Sequence, residues 1–126
     1  MPGDALGILL ISGGYERAHY AFVMAVGAAA VGRPVTLFAT NEGCRALEAD
    51  WSFLADAGRD DLVRAAGVAP LDELRAAAAE LGVRLMACDA GLRMAGVDPS
   101  GLLPGVEVAG VPSFLAATGA GGIVTL

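Results

Sequence analysis

The chain has 126 residues, a net charge of −6 and an isoelectric point near 4.5, which is one acidic domain's worth of sequence. Its eight basic residues are scattered among fourteen acids and form no basic stripe, so phosphate-driven binding of nucleic acid is excluded and anionic membrane surfaces are disfavoured. Hydrophobic residues make up 56% and charged ones 17%, and a monomer this small and this apolar predicts burial against further copies of itself in a closed homo-oligomer.

The first apolar run, Leu6 to Ile11, ends at Ser12-Gly13-Gly14 and suits a buried strand. Residues 15–31, YERAHYAFVMAVGAAAV, then read as a helix apolar on nearly every side and therefore buried all round. Gly32-Arg33-Pro34 stops it, and Val35 to Ala39 is a second buried strand. Between Arg17 and Arg33 lie fifteen uncharged residues, short of the roughly 20 that span a bilayer. Residues 41–67 hold nine charged side chains and Trp51, and predict short helices around 43–56 and 60–66, the second started by Asp60 or Asp61.

Pro70 opens a clearer helix with Leu71, Leu74, Ala78 and Leu81 on one face and Asp72 and Glu73 in the first turn, closed by Gly82. Val83 to Ala87 is a third strand, and Asp89 to Ala95 a short helix stopped by Gly96. Asp98-Pro99 marks an N-cap with proline behind it. Val106 to Val108 is a brief strand, Val111 to Thr118 a helix, and Ile123 to Leu126 a last strand. The uncharged stretch after Glu107 is broken by Gly110, Pro112, Gly119, Gly121 and Gly122, so it is no membrane span. The start, MPGDALGILL, carries an acid where a secretory signal has basic residues. A cytoplasmic chain whose two cysteines stay reduced is expected. Strand and helix alternate throughout, which predicts one α/β domain over 1–126: a mainly parallel sheet between two helical layers.

Two segments carry a resemblance. LGILLISGG with AHYAFVMAVGAAAVGRPVTLFAT is a strand, a small-residue turn, an Ala/Gly-rich helix and a strand; VRLMACDAGLRMAGV with LLPGVEVAGVPSFLAA is a strand ending Ala87-Cys88, a helix ending Met94-Ala95-Gly96, then Gly105 to Gly110 and a closing helix. Over roughly residues 6–40 and 70–126 the chain resembles the DsrE/DsrF-like superfamily, in particular its DsrE-like, peroxiredoxin-like branch. The resemblance implies a five-stranded parallel sheet, assembly into trimers or hexamers, and a cysteine, here Cys88, that accepts sulfane sulfur as a persulfide from a donor protein and hands it to an acceptor. It implies no organic cofactor. Where that branch carries polar Gln and Ser after the cysteine, this chain has Asp89, Ala90 and Gly91.

Read from the residues alone, Cys88 falls at the carboxyl end of a strand and just ahead of a helix, where backbone N–H groups favour a thiolate. Arg93 adds positive potential and Asp89 opposes it. A small buried hydrophobe is the competing role for such a cysteine. Cys44, after the second strand, is either a resolving thiol for Cys88 or packing. Gly13 and Gly14, with Asn41 after the second strand, join Asp89 and Arg93 as the candidate rim. Ser12-Gly13-Gly14 offers either an anion cradle or a tight turn, and lacks both the GxGxxG pattern and a Walker lysine. The lone His19 and the scattered acids have no metal-ligand spacing; Asp56, Asp60 and Asp61 read as a solvated face and helix caps. The alternative to sulfur transfer is a non-enzymatic subunit whose sheet edge holds a small anionic or nucleotide-like molecule.

Overall fold

A computed structural model of the chain describes residues 3–126. Strands β1 (Leu6–Leu10), β2 (Val35–Ala39), β3 (Arg84–Cys88), β4 (Glu107–Ala109) and β5 (Gly122–Thr125) form one sheet in the order β4-β3-β2-β1-β5, every pair parallel. The helices are α1 (Tyr15–Ala30), α2 (Arg59–Ala65), α3 (Leu71–Glu80), α4 (Asp89–Ala95) and α5 (Val111–Thr118). The expected α/β sandwich with five parallel strands is the observed one. No helix among the described residues is long and apolar enough to cross a membrane.

The central strands are apolar on both faces, as a sheet covered on both sides requires. Leu6, Ile8 and Leu10 of β1, Val35, Leu37 and Ala39 of β2, and Leu85 and Ala87 of β3 build the larger core with α1, α3 and α4. The alternate residues face the other way, where Phe38, Met86 and Cys88 meet Phe114 of α5 in a smaller cluster. On that side Gly7 lies so close under α5 that a Cβ would sit 2.9 Å from the Phe114 ring. One eight-residue helix covers this face, and Val111, Leu115 and Ile123 stay about half exposed (45–50%).

Helix α1 departs from the reading of burial all round. Tyr15, Ala18, His19, Phe22 and Ala25 form its buried stripe at helical spacing, while Tyr20 is 54% exposed on the opposite side.

A helix over 43–56 does not form. In its place are two 3-10 turns, Asn41–Leu47 and Trp51–Phe53, with extended backbone between them. The reason is tertiary. Arg75, buried on α3, donates to the carbonyls of Ala46, Glu48 and Ala49 at 2.6–3.1 Å, and Asp50 accepts from the N–H of Ser52. Both claim backbone groups that an α-helix would use.

Helix α2 starts at Arg59, and its N-cap is Gly58 rather than Asp60 or Asp61. Nor is Asp60 on a solvated face: it is 5% exposed and accepts from the Tyr15 hydroxyl, the Leu71 N–H and Arg64 Nε. Burial pushes this carboxyl up, but the three donors outweigh it and hold it below the usual carboxylate range. Strand β3 runs one residue further than its apolar pattern suggests, ending on Cys88 itself. Gly96 stops α4 in the left-handed region, with φ of 70°.

Candidate functional site

Chain direction decides where a site can lie in such a sheet. The segment leaving β3 turns into α4, whose Leu92 packs in the larger core, whereas the segment leaving β4 turns into α5 on the opposite face. Neighbouring strands whose exits part to opposite faces open a crevice at their carboxyl ends. Cys88 ends β3 at that edge, paired in register with Ala109, the last residue of β4.

Cys88 is also the N-cap of α4: its Sγ accepts the Gly91 N–H at 3.4 Å. The residue is 8% exposed and packs among Phe38, Met86 and Phe114, with the two phenyl rings stacked 5.0 Å apart. Asp89 and Arg93 pair with each other at 3.0 Å across one helical turn, both well exposed. The carboxylate and the guanidinium thus largely cancel beside the sulfur. What remains for an anion on Sγ is the donated backbone N–H.

The rest of the proposed rim is contiguous with this point. Gly91 lies against the end of β2 so tightly that a Cβ there would be 2.4 Å from Thr40 Oγ1 and 2.5 Å from the Asn41 nitrogen. Asn41 itself holds a φ of 52° and its Oδ1 accepts from Thr40 Oγ1 at 2.9 Å. Gly43 donates to the Ile11 carbonyl at 2.9 Å, and Gly13 presses on Glu42, leaving 2.6 Å between a notional Cβ and Glu42 Cβ. The ends of β1, β2 and β3 are in this way joined backbone to backbone.

At the Gly13-Gly14 turn the Gly14 N–H goes to Ser12 Oγ at 3.1 Å and the Tyr15 N–H to the Ala55 carbonyl at 2.8 Å. A cleft of about 340 Å³ beside it is lined by Gly13, Gly14, Glu42, Phe53 and Ala55.

Cys44 lies beneath the rim with no exposure, its thiol donating to the Ala39 carbonyl at 3.6 Å. Burial pushes this thiol up to about 12, with the neighbouring Cys88 adding to the rise, although the Cys88 backbone N–H bonds its sulfur and works the other way. Both cysteines are free. No group of three or more His, Cys, Asp or Glu among the described residues could hold a metal ion. Sequence reasoning missed Phe114 as the lid over Cys88; its place among core positions of α5 carried no signal that the cysteine lay below it.

Cys88 thus caps a short helix at the carboxyl edge of a five-stranded parallel sheet. The chain belongs to the DsrE/DsrF/DrsH-like family, whose model matches residues 50–124. That match takes in the Cys88 segment and part of the charged middle, while the N-terminal segment, residues 6–40, lies outside it. Among solved structures, the chain is similar to the ychN protein from E. coli, with a TM-score of 0.74 at 12% identity over 98% of this chain and 100% of that one. It is also similar to MTH1491, a protein of unknown function from Methanobacterium thermoautotrophicum, with a TM-score of 0.65 at 20% identity over the same shares. These two likenesses are of fold. No curated protein matches the chain.

Proposed function

We propose that the chain is a cytoplasmic sulfur-relay subunit, working in a closed homo-oligomer, that holds sulfane sulfur as a persulfide on Cys88. The observation that carries this reading is the place of Cys88 at the carboxyl end of β3, beside β4, with a backbone N–H aimed at its sulfur, in a chain of this family. The Cys88 thiolate attacks the outer sulfur of a donor persulfide. A new S–S bond forms on Cys88, the donor's S–S bond breaks, and the donor leaves as a thiolate that takes up a proton. The exchange is redox-neutral, so it needs neither cofactor nor oxidant. Delivery is the same step in reverse, with an acceptor thiolate as the nucleophile. The half-exposed Val111, Leu115 and Ile123 support burial of the α5 face against a second copy, in a trimer or hexamer.

A second reading draws on a different observation. At 8% exposure beneath Phe114, Cys88 also suits a packed side chain, and the chain is then a non-enzymatic subunit that binds a small anion at the sheet edge. Incubation with glutathione persulfide followed by intact-mass measurement separates the two. The relay reading expects wild type and Cys44→Ser to gain the mass of one sulfur and Cys88→Ser to gain none. Wild type without added sulfur, beside a control thiol protein that gains it, leaves the binding subunit as the function.

A further inference from the structure

The outer strand β5 differs from its neighbours in what covers it. Helices α1 and α5 pack mainly over β1 and β2, while on β5 Gly122, Ile123 and Thr125 are exposed and Val124 is half-buried. Among the described residues no strand pairs with its outer side. The opposite edge is guarded: β4 has only three residues, and its Glu107 pairs with Arg84 at 2.8 Å. β5 has no such guard. It carries neither charge nor proline, and an uncharged edge with open main-chain groups is a template for another strand.

Register decides which groups are open. The Leu126 N–H donates to the Leu9 carbonyl, and the Leu126 carbonyl accepts from the Ile11 N–H. With the two-residue period of a strand, Val124 also bonds towards β1, and Ile123 and Thr125 turn both N–H and C=O outward. Ile123 pairs in register with Gly7 and Thr125 with Leu9, so their side chains lie on the α5 face, where Val111 and Leu115 are half exposed as well. The two outward residues flank Val124 symmetrically, and such a strand fits its own copy about a two-fold axis. Charge favours the same occupant. Residues 108–126 contain no charged side chain, so a chain of net charge −6 meets its copy here with the least repulsion.

We propose that β5 pairs antiparallel with β5 of a second copy about a two-fold axis at Val124, joining the two sheets into one. Ile123 then exchanges its N–H and C=O bonds with Thr125 of the partner subunit. This interface presupposes the closed homo-oligomer proposed above and none of its sulfur chemistry. It selects assemblies of even number, a hexamer over a trimer. Between the two β3 strands lie β2, β1 and β5 of both copies, a span of about 33 Å at the usual strand spacing. The strands of the two copies run in opposite directions, so each Cys88 sits at its own end of the joined sheet and loads independently.

The test uses a Cys44→Ser/Cys88→Ser background, which has no native thiol left and reads nothing of the sulfur chemistry. Opposite residues of a non-hydrogen-bonded antiparallel pair have Cα atoms about 4.5 Å apart, within disulfide reach, whereas a residue one position off the axis lies about 8 Å from its own mate. Oxidised with diamide, Val124→Cys is expected to give a covalent dimer, and Thr125→Cys at least about fivefold less of it. Thr125→Pro removes an outward N–H that a lone edge strand does not use; it is expected to halve the particle mass in sedimentation equilibrium with an unchanged circular dichroism spectrum. No covalent dimer from Val124→Cys, equal yields at the two positions, or a folded Thr125→Pro protein of wild-type mass overturns the proposal. So does a wild-type particle with an odd number of copies, a measurement that needs no variant. A monomer removes the closed oligomer along with this interface, whereas a trimer or a failed crosslink removes the interface alone.

Discussion

The two cysteines are adjacent at the sheet edge but differ in burial, and a thiol-labelling experiment tests what that difference does. The perturbation is a pulse of iodoacetamide on the native protein at about pH 8, followed by unfolding, labelling of the remaining thiols with an isotopically distinct reagent, and peptide mass spectrometry. Burial pushes the Cys44 thiol up to about 12. At about pH 8 such a thiol is ionised to ~10⁻⁴, whereas a free cysteine with pKa about 8.5 is roughly one quarter ionised. Alkylation goes through the thiolate, so ionisation alone slows Cys44 by about 10³ relative to a free-thiol peptide. Its zero exposure slows it further, because the reagent must wait for local opening. Cys88, with 8% of its surface open, is labelled ahead of it. The sign with pH follows from the raised thiol: the Cys44 rate climbs about tenfold per unit through the region near 8.5 where a free cysteine levels off. A native Cys44 rate within tenfold of the peptide's, or a plateau near 8.5, refutes the reasoning.

Phe114→Ala removes the ring stacked on Phe38 above Cys88. It costs about 3–5 kcal/mol in urea unfolding and speeds Cys88 labelling by more than it speeds that of Cys44, which lies on the other side of the sheet. Gly91→Ala drives a Cβ to 2.4 Å from Thr40 Oγ1 and 2.5 Å from the Asn41 nitrogen; a loss of about 1–3 kcal/mol is expected, and a stability equal to wild type contradicts that packing. Asp60→Asn weakens the acceptor of Tyr15, Leu71 and Arg64 and lowers stability by about 2–4 kcal/mol at neutral pH. Because the folded Asp60 carboxyl is depressed, its contribution is present above the unfolded value near 4 and is lost as the pH falls through the folded one. Acid titration of unfolding free energy should therefore be shallower in the variant than in wild type.

What the sequence makes legible is local. The apolar runs that became β1, β2 and β3, the glycines that stop α3 and α4, and the Asp98 cap, whose side chain accepts the Ser100 N–H at 2.9 Å, each act over a few residues. The segment 41–56 is a different case, since its backbone is organised by Arg75, about 26 to 29 positions further along the chain. Asp60 looks like a surface acid in the sequence because its decisive partner, Tyr15, is 45 residues away. For the candidate site, the sequence locates Cys88 at a strand end but not the face it joins. Leu85, Met86, Ala87 and Cys88 are all buried, and a strand apolar on both sides carries no alternation from which to read direction.

The close approaches at Gly13, Gly43 and Gly91 have a bearing on how this edge can change. A Cβ at Gly43 would stand 2.2 Å from the Leu10 carbonyl oxygen, so main chain abuts main chain and rotating a side chain cannot widen the seam. A guest molecule must rest on top of this ridge, not wedge into it. Replacements at the outward, exposed Asp89 leave the weld between the strand ends untouched.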